Sequence, residues 1–460
     1  MPAKLVIIGD SLSSGFMSFA TTRVDLSYGA ILADCLDMKP GDWRVPDFHG
    51  AGGFPFSLEW MARKLQAAYG DDLTGFEWVG SLIRVNQLLD EVEDYWERGP
   101  GSRPVDDLLP YHNLAVEGFR VADAYAITDQ ACYEQVKNST DNFLGAPSED
   151  VKRTAVRVLN PSLNFEGFPQ TQITRAQQIA RLEDGIENLI VWLGANNALA
   201  TVLTLKVKET DDAPPDPLTP TDRNLWSAKA FEADYRRLAE QVKTIGAGRV
   251  IVATLPHIVI PPFTRGINAD LEPLQQPERY FDYYTYFWID ESKFDPARDP
   301  RLVKAEAIKI DSRIDEYNLI IKQVAAENGW CVADICAALD RAAIRRNWGA
   351  PTYDFPPEMA DLNVGLFQID RDGRRLNGGL FSLDAIHPSH CGYTLIAHEF
   401  RQAMIQHYNL PLKPINFAAE RLKDTMVSNP PRTLDDLIGA VRTLESTFHL
   451  TRFLHPLFIG

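Results

Sequence analysis

Two short motifs near opposite ends of the chain contain residue types used in nucleophilic catalysis. Gly9-Asp10-Ser11-Leu12 follows an apolar run directly, so Ser11 is expected at the carboxyl end of the first β-strand, where open α/β sheets bind ligands. Asp384-Ala385-Ile386-His387 places a carboxylate three residues before an imidazole. A serine hydroxyl is a poor nucleophile at neutral pH, and it needs a base whose tautomer is fixed by a third group. The two motifs together contain all three groups.

Each motif also has an ordinary structural interpretation. A serine at a helix start is often simply the N-cap of that helix or part of a phosphate-binding loop. An isolated Asp-x-x-His is typical of a surface turn. His387 and His390 with Asp384 are also a candidate metal site, but no Cys or Glu cluster at matched spacing accompanies them. These alternatives require further motifs to decide between them.

Two segments between the motifs contain groups that can stabilise an anion. Gly194-Ala195-Asn196-Asn197 follows the apolar run 189–193, and the Asn196 side chain can donate its N–H to a developing oxyanion. In the segment 113–118, Gly118 lets the backbone approach a ligand closely and present its N–H. Taken singly, each segment can also be a simple turn after a strand.

The elements that must position these residues alternate between strands and helices. Short buried strands are predicted at 4–9, 113–116, 188–193, 249–255 and 330–335. Helical spacing of apolar residues is clearest at 228–245 and 314–326. This alternation predicts an α/β protein with a parallel sheet covered on both faces.

The order Ser, Gly, Asn and Asp-x-x-His resembles the SGNH, or GDSL, hydrolase superfamily from residue 4 to about residue 401. The resemblance implies a flavodoxin-like, doubly wound parallel sheet and ester hydrolysis through an acyl-enzyme, with no cofactor and no metal. It implies that Ser11 is the nucleophile, His387 the general base and Asp384 the group that orients the base. It also implies an oxyanion hole formed by the Ser11 N–H, the Gly118 N–H and the Asn196 side chain.

Two positions depart from the family pattern. Asn197 stands where the family usually has Asp, which leaves Asn196 intact but alters its support. Phe119 and Arg120 follow Gly118 where small residues are common. These departures are the hints of a non-hydrolytic binding protein on the same fold. An acyltransferase using the same triad is a second alternative to a serine esterase or lipase, because the sequence does not distinguish water from an alcohol as acceptor.

The predicted domain organisation is a hydrolase domain at 1–410 followed by a helical extension at 411–460, with helices at 417–426 and 434–448. Insertions are predicted at 71–110, 206–222 and 259–300. The last is rich in aromatic residues, and Tyr283, Tyr286 and Trp288 are predicted to line an apolar substrate pocket. The alternative is that these side chains only pack the insertion onto the body.

Composition excludes several classes of protein. With 45% hydrophobic residues among 460, the chain is too apolar to be mainly disordered. Its net charge of -17 repels phosphate backbones, so nucleic acid is not an expected partner. The family resemblance implies a small ester as the substrate. Five scattered cysteines indicate reduced thiols, and the apolar run 5–8 is too short for a signal peptide or a membrane span. These features predict a cytoplasmic protein of undetermined oligomeric state.

Overall fold

The core of the protein is a parallel four-stranded sheet. The computed structural model describes residues 1–70, 77–105, 109–139, 147–268, 279–347, 351–365, 367–369 and 375–431. The strands are hydrogen-bonded in the order β1 (Val6–Gly9), β2 (Asn188–Trp192), β3 (Arg249–Ala253) and β4 (Cys331–Ala333). Four of the predicted strands are thus present, and they are parallel as expected.

The predicted strand at 113–116 lies on the free side of β1. It forms a single parallel bridge between Asn113 and Ile7. The N–H groups of Leu114 and Val116 donate to the carbonyls of Ile7 and Gly9 at 2.9 and 3.1 Å. The extended segment 113–116 therefore continues the sheet beyond β1, so β1 has neighbours on both sides.

Both faces of the sheet are covered, as the alternation predicts. Every residue of β1 and β2 is buried, and successive side chains of a strand point to opposite faces. The long covering helices are α1 (Tyr28–Cys35), α2 (Gln172–Leu182), α3 (Ala228–Lys243), α4 (Lys304–Asn328) and α5 (His390–Tyr408).

Aromatic side chains pack between these helices and against the sheet. Tyr28 of α1 stacks on Phe400 of α5 with ring centroids 4.9 Å apart, and Phe400 also meets Trp192 of β2 at 5.7 Å. Phe231 of α3 stacks on Tyr317 of α4 at 3.9 Å. Large buried rings at these positions account for the predicted apolar periodicity of α3 and α4.

The remaining elements in the described part of the chain are further helices and three small antiparallel sheets. Further helices are Ser11–Ser14, Leu58–Tyr69, Glu77–Glu93, Asp123–Ala126, Asp129–Lys137, Asp150–Leu159, Ala200–Thr204, Ile335–Ala342, Phe417–Lys423 and Thr425–Ser428. Small antiparallel sheets pair Phe16–Met17, Ala20–Thr21 and Phe54–Pro55; Thr264–Ile267, Tyr283–Tyr286 and Leu302–Val303; and Phe367–Ile369 with Arg375–Gly378. None of the helices in the described ranges is long and apolar enough to cross a membrane.

The structure of the predicted insertions differs from one to the next. Segment 206–222 contains no helix or strand, as expected of a loop. Segment 259–300 contains two strands of an antiparallel sheet, and its residues 269–278 lie outside the described ones. In segment 71–110, Trp96 is buried and its indole N–H donates to the Gly53 carbonyl at 3.0 Å, so this part packs on the body.

The chain after residue 410 corrects one predicted boundary. The helix expected over 417–426 is divided at Asp424, whose carboxylate accepts the N–H of Met426 and so starts a second helix. Asp424 also accepts the N–H of Cys391 in α5 at 2.9 Å, which fixes this segment to the body. The second predicted helix, at 434–448, lies outside the described residues.

Candidate active site

Ser11 is the first residue of a short helix that begins where β1 ends. Asp10 caps this helix by accepting the Leu12 N–H at 3.0 Å. The turn requires glycine at position 9, because a Cβ there would lie 2.3 Å from the Ser13 hydroxyl oxygen. The chain therefore reverses sharply at Gly9 and holds Ser11, which is 6% exposed, at the carboxyl edge of the sheet.

The Asp384–His387 turn meets Ser11 across 376 residues of sequence. His387 Nε2 lies 2.9 Å from Ser11 Oγ, and His387 Nδ1 lies 2.9 Å from Asp384 Oδ2. The three groups form a continuous hydrogen-bonded chain from hydroxyl to imidazole to carboxylate. In this arrangement the imidazole can take the serine proton while the carboxylate stabilises the resulting cation.

Asp384 is fully buried and accepts several hydrogen bonds. Its Oδ1 accepts the N–H groups of Ile386 and His387 at 2.9 and 2.8 Å, and its Oδ2 accepts the Phe19 N–H at 3.1 Å. Burial by itself would raise the pKa of Asp384, but the charge of His387 and these hydrogen bonds lower it below its ordinary value. The carboxylate is therefore ionised, as stabilising an imidazolium requires.

Asn196 joins the turn at Ser11 to the turn at Gly118. Its Nδ2 donates to the Phe119 carbonyl at 3.0 Å and to Asp10 Oδ2 at 3.3 Å. Gly118 is exposed and has a φ of +75°, a conformation that favours glycine. Both hydrogens of the Asn196 amide have acceptors, so an oxyanion would have to replace one of them, and the contact with Asp10 is the longer.

The departures from the family pattern have structural explanations. Asn197 is fully buried, and its side-chain oxygen accepts the Val121 N–H at 3.2 Å, so it supports the segment after Gly118. Phe119 is buried in the core. The Arg120 guanidinium lies 5.1 Å from the Trp226 ring centroid.

His390 does not join His387 in a metal site. Its Nδ1 bonds to the Leu26 carbonyl and its Nε2 to Glu420, both at 2.8 Å. Both nitrogens of His387 are occupied by Asp384 and Ser11. Among the described residues, three potential metal ligands come together instead at His257, Cys336 and Asp340. The interpretation of His387 and His390 as a ligand pair therefore has no support in the structure.

The aromatic insertion adjoins the turn at 384–387, but two of its predicted substrate-binding side chains are packed internally. The Phe263 N–H donates to the carbonyl of Ala385, between Asp384 and His387, at 2.9 Å. Tyr286 and Trp288 are 2% and 5% exposed and stack on each other at 4.6 Å. Tyr283 is half-buried and contacts Phe294 at 5.7 Å. A role in a substrate pocket remains a prediction for all three.

Sequence reasoning missed two polar groups beside the site. Burial raises the pKa of Asp10 to about 7, although the Leu12 N–H and the charge of His387 oppose the rise. Asp10 stands within the Gly-Asp-Ser motif, but nothing in the motif shows its contact with Asn196. Gln172, at the start of α2, has a fully buried side chain that donates to the Gly9 carbonyl at 2.8 Å. No motif surrounds Gln172, so the sequence offered no signal for it.

Comparisons with known proteins give few matches. No family model matches the chain, and no curated protein matches it. Among solved structures, a catalytic mutant of an acetylxylan esterase from Geobacillus stearothermophilus is 13% identical with a TM-score of 0.23, over 50% of this chain and 67% of that one. An α/β hydrolase enzyme from the metagenome of Lake Arreo, Spain, is 16% identical with a TM-score of 0.23, over 50% of this chain and 66% of that one. Functional inference for this protein therefore depends on the contacts around Ser11.

Proposed function

We propose that the protein is a serine hydrolase that cleaves a carboxylic ester of a small molecule through an acyl-enzyme. The observation that carries this proposal is the hydrogen-bonded chain from Ser11 through His387 to Asp384 at the carboxyl end of β1. A structural serine or a simple helix cap has no need of an imidazole held by a buried carboxylate. We infer that the fold is of the SGNH type, since the segment 113–116, β1, β2, β3 and β4 follow one another in the order expected of a flavodoxin-like sheet.

The chemical steps follow from the atoms in contact. Ser11 Oγ attacks the ester carbonyl carbon while its proton passes to His387 Nε2. The imidazolium then gives that proton to the leaving alcohol as the C–O bond breaks, which leaves an ester between Ser11 and the acyl group. Water adds in the same way, with His387 taking and returning a proton, and frees the acid. The N–H groups of Ser11 and Gly118 and the Asn196 amide stabilise the oxyanion in both halves.

The proposal is tested with p-nitrophenyl esters of short and long acids and the variant Ser11→Ala. Turnover should fall by several orders of magnitude, while the thermal unfolding midpoint stays near that of the wild type. An organophosphonate should modify the wild type at Ser11, as located by peptide mass spectrometry. Parallel assays with an added alcohol would show whether water or an alcohol accepts the acyl group.

Ser27 provides a matched control, because it is a fully buried serine that caps α1 by accepting the Ala30 N–H. Ser27→Ala should lower stability by about 1 kcal/mol and leave turnover unchanged. Retention of most activity in Ser11→Ala, or a phosphonate adduct on another residue, would overturn the assignment of the nucleophile.

A further inference from the structure

Gln172 connects two segments of the polypeptide that lead into the candidate active site. It is the first residue of α2, and its side chain is fully buried. Its Nε2 donates to the Gly9 carbonyl at 2.8 Å and to the Leu114 carbonyl at 2.7 Å. Gly9 comes two residues before Ser11, and Leu114 comes four residues before Gly118. This amide group therefore adds a side-chain bridge to the backbone hydrogen bonds that already join the two segments.

The orientation of this amide follows from its surroundings. The reverse orientation would point the side-chain oxygen at two carbonyl oxygens, which can only accept hydrogen bonds. The start of α2 is itself fixed, because Thr171 and Thr174 form a capping box there. Gln172 is thus held at a helix terminus, and its side chain in turn fixes the end of β1 at Gly9 and the extended segment at Leu114.

We propose that Gln172 is a positioning residue for the reaction at Ser11, which sets the separation of the Ser11 and Gly118 turns. The inference rests on the proposed function. Donors to an oxyanion act only when they lie about 2.7–3.1 Å from the developing charge. A displacement of about 1 Å in a catalytic site can lower the rate about 100-fold. Loss of the Gln172 bridge therefore impairs the transition state more than it impairs binding of the ester.

Asn188 is a matched control at the opposite end of the sheet. It begins β2, is 1% exposed, and its Nδ2 donates to the Lys4 carbonyl at 2.8 Å. Its Oδ1 is buried without a hydrogen-bond partner, as is Gln172 Oε1. Both residues are buried amides that donate to a carbonyl of a neighbouring segment. Gln172 does so two residues before Ser11 and four before Gly118, whereas Asn188 bonds to Lys4, seven residues before Ser11.

The test compares Gln172→Met with Asn188→Leu, which remove the hydrogen bonds but keep the side-chain volume. Both variants should lower the unfolding midpoint, Gln172→Met by more, since it loses two hydrogen bonds and Asn188→Leu loses one. Gln172→Met should lower kcat about 10- to 100-fold with KM within about twofold of the wild type. Its rate of phosphonate modification at Ser11 should fall in parallel, whereas Asn188→Leu should match the wild type in both measurements.

Wild-type kcat in Gln172→Met, or an equal loss of kcat in both variants, would overturn the positioning role. If Gln172→Met does not fold, Gln172→Leu is a second variant of similar volume and should also show reduced kcat, since its side chain cannot donate to either carbonyl. Wild-type kcat in Gln172→Leu would overturn the inference as well. Failure of the proposed function gives a different result, because the wild type itself would then show neither ester turnover nor modification of Ser11.

Discussion

His387 and His257 are two buried histidines with the same kind of partner on Nδ1 and different partners on Nε2. Each has a carboxylate on Nδ1, Asp384 at 2.9 Å and Asp340 at 2.8 Å. The Nε2 of His387 meets the hydroxyl of Ser11, whereas the Nε2 of His257 meets a second carboxylate, Asp315, at 3.1 Å. The partner of the second nitrogen therefore distinguishes them.

The two imidazoles also differ in the charges around them. Burial would lower the pKa of His257, but its hydrogen bonds to Asp340 and Cys336 and the charge of Asp311 raise it to about 11. His257 therefore stays an imidazolium and forms part of an ion pair. A hydroxyl adds no charge, so His387 can accept a proton from Ser11 and return it. The carboxylates and the thiol around His257 thus suit a charged imidazole, whereas the neutral hydroxyl that faces His387 Nε2 suits a base.

The comparison is tested most directly by replacing each histidine with glutamine. His387→Gln should lower kcat/KM by about 10⁴- to 10⁶-fold with little change in stability, because the base is lost. His257→Gln should leave kcat/KM near the wild-type value. It should lower the free energy of unfolding by about 1–3 kcal/mol, since Asp340 and Asp315 lose their cation. Ester kinetics and urea unfolding of both variants measure these effects.

The same pair of variants gives a pH test. A pKa raised above the unfolded value adds stability below about pH 6.5 that is lost as pH rises toward 11. The stability gap between wild type and His257→Gln should therefore narrow above neutral pH. A large loss of turnover in His257→Gln at unchanged stability would contradict the separation of the two histidines.

The next largest effect is expected at Asn196, the amide that lies beside the Ser11 turn. Asn196→Ala should lower kcat about 100- to 1000-fold with little change in KM, because one donor to the oxyanion is removed. Steady-state kinetics on one p-nitrophenyl ester separate the two constants. An effect mainly on KM would instead make Asn196 a residue that binds the ground state.

The aromatic insertion allows a smaller test, since it contacts the His387 turn. Trp288→Ala should destabilise the protein by about 3–5 kcal/mol, because a buried ring is lost. If Tyr283, Tyr286 and Trp288 line a pocket, their alanine variants should also shift the preference among acyl chain lengths. Chain-length profiles identical to the wild type in all three would leave them a packing role only.

The smallest effect concerns Asp10, whose buried carboxyl group accepts a hydrogen bond from Asn196. Because burial raises the pKa of Asp10 to about 7, its contribution to stability is fully present below about pH 4 and is lost as pH rises toward 7. Asp10→Asn should therefore gain stability relative to the wild type over that range, by at most a few kcal/mol at about 1.4 kcal/mol per pKa unit. Urea unfolding at pH 4.5 and 7.5 measures the difference, and equal gaps at both values would contradict it.

Much of the scaffold could be predicted because it depends on neighbours in sequence. The apolar runs of β1 and β2 became buried parallel strands, and the helical spacing at 228–245 became α3. Gly9 before Ser11 allowed the sharp turn, and the spacing of Asp384 and His387 allowed one residue to bond the other. Such features follow from the backbone geometry of a few residues, which a sequence records directly.

Only the tertiary structure decided which side chains meet. The sequence could not show that His390 turns to Glu420, that a second carboxylate faces His257, or that Gln172 joins the strand ends beside Ser11. Tyr286 and Trp288 likewise proved to be buried against each other. The physical reason is that packing brings together atoms far apart along the chain, and residue type alone does not specify the partner of a buried polar group or ring.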